Sequence, residues 1–200
     1  MKVVINSLLA IGTLILSYLL YSSIQEPIEF KDFKEAREFD VRRHLEDVAR
    51  AQEAYKSIKG RFAPSWDSLE LVLTQDSFKT VIIIGDPDDI KSGKSVQKQI
   101  TYTPVGDSIN RILRTVKDVK KLRYVPNANT ANTEFRLQSA ILKDDSGNET
   151  PVFEASTIIE NYMGEKFKDK KYSLYDDTYD PKSLRKVGDM YQPKTTGNWK

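Results

Sequence analysis

Few side chains in this sequence are of a type that does chemistry, and most stand alone. His44 is the single histidine and there is no cysteine. That removes thiol nucleophiles, zinc–thiolate sites and disulfide staples, and leaves one candidate base for any Ser-His-Asp arrangement. His44 lies at the edge of an apolar stripe between acidic and basic neighbours, and reads as a surface or flanking histidine. Gly93-Lys94-Ser95 has the end of a phosphate-binding loop, but that motif needs glycine five positions before the Gly-Lys pair, and Asp88 stands there. Two acidic clusters carry enough oxygens to interest calcium, which wants several ligands from one loop. The weaker is Asp86, Asp88 and Asp89. The stronger is Asp176, Asp177 and Asp180. Neither has EF-hand spacing. Asn148-Glu149-Thr150 matches a glycosylation triplet, with Pro151 following.

Arg111, Arg114, Lys117, Lys120, Lys121 and Arg123 interleave with Ile109, Ile112, Leu113, Val116 and Val119 at helical spacing. The basic groups then form the wet face of a helix rather than a nucleic-acid patch. A net charge of +2 gives no global field that would favour nucleic acid or an acidic substrate. These observations lead to a non-enzymatic reading with no cofactor and no nucleic-acid partner.

The elements that position these residues divide the chain in three. Residues 1–25 carry an uncharged run from Val3 to Gln25, long enough for a helix to cross a bilayer. Its length, and the absence of a small-x-small pair at Ser22 or Ser23, favour a retained anchor over a removable signal peptide. Tyr18 and Tyr21 stand near its far end, where aromatic rings favour the interface. Lys2 precedes the run, and Glu26 to Asp40 is acid-rich. The positive-inside bias therefore predicts a single-pass protein of a bacterial inner membrane, N-terminus cytoplasmic and the remainder periplasmic.

Residues 26–60 form the second part. Val41, Leu45, Val48, Ala51, Tyr55 and Ile58 fall on one stripe of an amphipathic stalk helix, expected to pack on the domain's own sheet. Pro27 predicts a kink or break below it, and Gly60 a left-handed stop above it. Ile28, Phe30, Phe33 and Phe39 are many large apolar groups for an exposed neck, and are the candidate interface for neighbouring subunits.

Residues 61–200 make the third part, an α+β domain. Ser65 is placed to cap a short helix through Leu73. Strands are predicted at Lys79–Ile84, Gln99–Thr103, Leu122–Val125, Glu134–Lys143 and Pro151–Ala155, the last two joined by a turn at Asp144–Asn148. Thr157–Met163 reads as a short helix, and the chain beyond Gly164 as polar and rich in Tyr, Asp and Lys.

The run Arg50-Ala51-Gln52-Glu53-Ala54-Tyr55-Lys56, then Lys59-Gly60-Arg61-Phe62 and Ser65-x-Asp67-x-Leu69, resembles the helix-to-domain junction of type IV pilins and type II secretion pseudopilins. With Leu122-Arg123-Tyr124-Val125-Pro126 and Gly197-Asn198-Trp199, it is also similar to a family of membrane-anchored proteins of Bacteroidetes-type bacteria. The pilin resemblance implies a transmembrane helix running into an amphipathic helix packed on an antiparallel sheet. It also implies a non-catalytic role as an assembly subunit of a homo- or hetero-oligomeric envelope or secretion-type complex. It stops short of the processing signal: the segment before Gly12 is apolar, and Ser17 stands where that family has glutamate. A tethered periplasmic module that binds peptide, glycan or peptidoglycan is the alternative.

Overall fold

The computed structural model describes residues 1–84, 97–143 and 146–199. The acidic group at Asp86–Asp89, the Gly93-Lys94-Ser95 turn and the residues Asp144 and Asp145 lie outside them. One helix, α1, runs from Lys2 to Lys59. At about 1.5 Å per residue it is a rod of roughly 87 Å. It is long and apolar enough in its N-terminal part to cross a membrane, and that part is not covered by the rest of the chain. Of the kink or break expected at Pro27, the break does not occur, for α1 is helical on both sides of it. Proline removes one intrahelical donor and crowds the carbonyl four residues earlier, but packing of the helix beyond it can hold the rod together.

The upper half of α1 is a core element. Val41, Leu45, Val48, Ala51 and Tyr55 are buried on the predicted stripe. Gly60 ends the helix in the left-handed region at φ 74°, its N–H bonding the Lys56 carbonyl at 2.8 Å. Gln52 then turns the chain. Its side chain accepts from the Ala63 N–H at 2.8 Å and donates to the Ala63 carbonyl at 3.4 Å, all of it buried. Ser65 caps α2 (Trp66–Gln75) in a reciprocal box with Ser68. Trp66 anchors that helix by donating to the Phe135 carbonyl at 3.0 Å.

The strands form two antiparallel sheets rather than one. Among the described residues β1 (Ser77–Ile84) pairs only with β2 (Gln97–Pro104), with Val81 opposite Ile100 and Lys79 opposite Tyr102. β3 (Arg136–Lys143), β4 (Glu149–Ile158) and β5 (Leu184–Gly188) make the second sheet in the order β3-β4-β5. Between the sheets, α3 (Val105–Ile112) ends well before Val119. The expected helix is shortened because buried Asp47 on α1 captures the N–H groups of Arg114, Thr115 and Val116 at 3.0, 2.7 and 2.8 Å. The strand expected at Leu122–Val125 is mostly a 3₁₀ turn over Val119–Arg123, started by the Asp118 side chain on the Lys120 N–H. Tyr124 alone makes a bridge, to Glu134.

Thr157 and Ile158 extend β4, and only Ile159–Asn161 turns helical. After it come α4 (Gly164–Phe167) and a 3₁₀ turn at Lys170–Leu174. The chain closes on β5: Asn198 accepts from the Lys186 N–H at 3.2 Å and donates to the Leu184 carbonyl at 2.8 Å. Trp199 packs on the core.

Candidate functional site

The neck expected to face other subunits is divided by the fold. Phe30 is wholly buried within the chain. Its ring stacks on Tyr172 at 5.1 Å and meets Tyr179 edge-on at 5.0 Å and Phe167 at 5.7 Å. Phe33 packs on Phe167 at 5.1 Å with the Arg37 guanidinium over its outer face. These two candidates therefore serve the chain's own C-terminal segment. Ile28 and Phe39 remain 50% and 57% exposed, so they are the part of the neck still open to a partner.

Polar bonds fasten the same segment. The Tyr172 and Tyr175 hydroxyls donate to the two oxygens of Glu26 at 3.2 and 3.1 Å, and Lys166 pairs with Glu29 at 2.6 Å. Higher on the stalk, Lys34 reaches Asp176 at 2.6 Å. That bond, with a second from Thr178, holds the Asp176 carboxyl down at about 2. Tyr179 donates to the Phe167 carbonyl at 2.6 Å, and burial pushes its hydroxyl up to about 12.

The calcium candidates do not converge. Asp176 serves Lys34 and the Thr178 N–H and hydroxyl, and Asp180 accepts from the Lys182 N–H at 3.1 Å. Both are turn-forming acids, and Asp177 is exposed between them. Among the described residues no three His, Cys, Asp or Glu side chains gather as a metal group would require.

His44 is buried, not superficial. Its Nε2–H donates to the Leu122 carbonyl at 3.0 Å, and its ring lies 5.4 Å from Phe135. Burial lowers its pKa, against the pull of that carbonyl and of Asp47. Helical spacing puts Asp47 next to the stripe as well, and an acid inside an apolar stripe was the signal for a buried role. A second buried acid, Glu38, bonds Arg42 on its own helix and Arg185 of β5 at 2.7 Å. Among the described residues the Tyr162 hydroxyl is buried without a hydrogen-bond partner, and burial, with the Glu38 charge, raises its pKa. These groups tie the stalk to the domain. None leaves a nucleophile beside a free base.

The six basic residues do not share a face. Arg123 pairs with Asp67 at 3.1 Å and with Glu134 at 2.9 Å. Arg111 and Arg114 instead line a groove of about 620 Å³ between α1, Phe78 and the end of β5. Ala49, Ala54, Ile112 and Val187 give it an apolar floor, and Glu46, Arg50 and Glu53 a charged rim.

Comparison with family models, curated proteins and solved structures gives no match. The class is accordingly set by build: an α+β domain with two small antiparallel sheets, carried on a long N-terminal helix able to span a membrane.

Proposed function

We propose that this chain is a non-catalytic, membrane-anchored envelope protein of pilin-like or pseudopilin-like build, acting as an assembly subunit of a cell-envelope or secretion-type complex. In this reading the helix sits in a bacterial inner membrane with its N-terminus cytoplasmic and the domain periplasmic. The observation that carries it is the unbroken run of α1 from an uncovered apolar stretch into the core. A rod built this way transmits position between bilayer and domain, which suits stacking of subunits better than free tethering by a flexible linker. Exposed Ile28 and Phe39 on the neck, and exposed Val81, Ile82, Ile100 and Tyr102 on the β1–β2 ribbon, offer apolar surface for neighbours. The polar groups support the non-catalytic part, because buried His44, Asp47 and Glu38 and half-buried Asp176 are each spent on holding the fold.

The chain has no native cysteine, so single introduced cysteines report contacts without background. Ile28→Cys and Phe39→Cys are expected to form intermolecular disulfides in mild detergent, whereas Phe30→Cys is not. A strictly monomeric full-length protein would sink the assembly reading. The groove beside Arg111 and Arg114 favours the second reading, a tethered module for a peptide, glycan or peptidoglycan fragment. Loss of a captured envelope partner on Arg111→Glu with Arg114→Glu, with disulfides absent at Ile28 and Phe39, would favour that module. Any soluble form must include Glu26 and Phe30, since both hold the C-terminal segment.

A further inference from the structure

Of the segments bonded to α1, the 3₁₀ turn Lys170–Leu174 with Tyr175 reaches nearest to the apolar run. Its tyrosines bond Glu26, the first charged residue after the apolar run ending at Gln25. The turn is thus fixed at the level where the helix would leave the hydrocarbon. It cannot swing away without breaking both Glu26 bonds and unstacking Tyr172 from Phe30.

What the turn presents there is specific. Leu174 is 84% exposed, among the most exposed large apolar side chains outside the membrane segment. Lys170 and Lys171 are exposed beside it, and Lys171 lies over the Tyr172 ring at 4.8 Å. Nearby acids are already engaged: Glu26 by the tyrosines, Glu29 by Lys166, and Glu165 by Lys168 at 2.6 Å. Asp169 caps the turn through the Lys171 N–H at 2.8 Å. Among the described residues neither leading lysine closes an ion pair, although the Tyr172 hydroxyl and the nearby Glu26 and Asp169 charges raise the Lys171 pKa.

We infer that this turn is a foot resting on the bilayer, with Lys170 and Lys171 on the anionic phospholipid headgroups of the leaflet from which α1 emerges and Leu174 dipping among them. The arrangement is that of interfacial segments generally: a cationic pair, an apolar residue and aromatic rings with polar tips at one depth. A lysine near an anionic surface shifts such an equilibrium by roughly fivefold. The foot would fix the tilt and rotation of the domain, which a single helix alone leaves free. The inference rests on α1 crossing the bilayer.

The test uses the full chain in phosphatidylcholine vesicles with or without phosphatidylglycerol. A fluorophore is placed on Leu174→Cys, on Leu71→Cys of α2 at the far end of the stalk, or on Leu14→Cys within the apolar run. Nitroxide-labelled lipids then quench from shallow or deep positions. The expected result is shallow quenching at Leu174 several-fold above that at Leu71 in anionic vesicles. It should fall toward the Leu71 level when Lys170→Glu and Lys171→Glu are added. Equal quenching at Leu174 and Leu71, with deep quenching at Leu14 intact, overturns the foot and leaves the anchor standing. Quenching at Leu174 that ignores both the double substitution and the phosphatidylglycerol overturns the role of anionic headgroups. Absence of deep quenching at Leu14 overturns the anchor and the foot together.

Discussion

Phe30 of the stalk and Tyr172 of the C-terminal segment lie with their rings 5.1 Å apart and 11° from parallel, so the end of the chain is packed onto the neck of its own first helix. Phe167, Tyr175 and Tyr179 close around the same ring. Phe30→Ala removes the centre of this cluster, and an unfilled aromatic cavity costs about 3–5 kcal/mol. The loss should be read as a lower unfolding midpoint and as faster tryptic cleavage at Lys166–Lys171. Phe30→Leu, which keeps much of the volume, should cost far less. Equal cleavage rates for the wild type and the alanine variant would show that the cluster does not hold the segment.

Asp47 makes a second link of this kind, between the stalk and the loop after α3. Three N–H groups, of Arg114, Thr115 and Val116, converge on one buried carboxylate. Asp47→Ala leaves all three without this partner; water can replace it at the half-exposed Arg114 and Thr115 N–H groups, whereas the buried Val116 N–H left unmet costs about 1–3 kcal/mol. Hydrogen exchange at residues 114–116 should rise sharply in this variant. Asp47→Asn keeps one acceptor oxygen and should fall between the two.

Much of the architecture was written locally in the sequence, and the exceptions share a cause. The apolar run, the Gly60 stop, the Ser65 cap and the strands β1 to β4 depend on neighbours within a few residues, which is where periodicity and capping act. β5 carries no strand signal because Leu-Arg-Lys-Val-Gly is short and does not alternate apolar with polar. Its edges are satisfied by β4 and by Asn198. The helix expected through Val119 was cut short by Asp47, and the Leu122 carbonyl is taken by His44, both far away in sequence. Phe30, expected to face a partner, is likewise covered by a segment far away in sequence. An isolated neck gives no hint of a lid, although the spacing of Phe167, Tyr172, Tyr175 and Tyr179 in an otherwise polar tail was a signal that these rings needed something to cover.

Gly188 is set where no side chain fits. Its φ is 79°, and a Cβ there would stand 2.2 Å from the Phe153 carbonyl oxygen. Gly188→Ala therefore has to shift the β4–β5 backbone as well as adopt a left-handed conformation, and should cost more than about 1 kcal/mol. Gly106 in α3 has nothing within 4 Å of the same construction. Gly106→Ala should be neutral or stabilising by about 0.5–1 kcal/mol, since alanine loses less conformational freedom in a helix. A chemical-denaturation pair of these two variants separates local strain from a general intolerance of the domain to substitution.

Acid should act on the fold through His44 before it reaches the carboxylates. Burial lowers the His44 pKa in the native state, so the unfolded chain binds a proton first as pH falls below about 6.5. The contribution of this site is then fully present above that value and is lost as pH falls toward the depressed native pKa. His44→Gln can still donate to the Leu122 carbonyl but cannot titrate, so its stability should be flatter with pH across this window. Asp176 acts lower. Its carboxyl is held at about 2 by Lys34, so the clamp contributes stability above the ordinary aspartate range and loses it as pH drops from about 4 toward 2. Unfolding followed from pH 7 downward should show two successive losses, the first removed by His44→Gln and the second reduced by Asp176→Asn, the remainder including Asp189, which the Tyr191 N–H and Lys186 also hold low. A wild-type profile that stays flat between pH 6.5 and 5 would show that His44 is protonated without cost and that its buried bond to Leu122 carries no pH dependence.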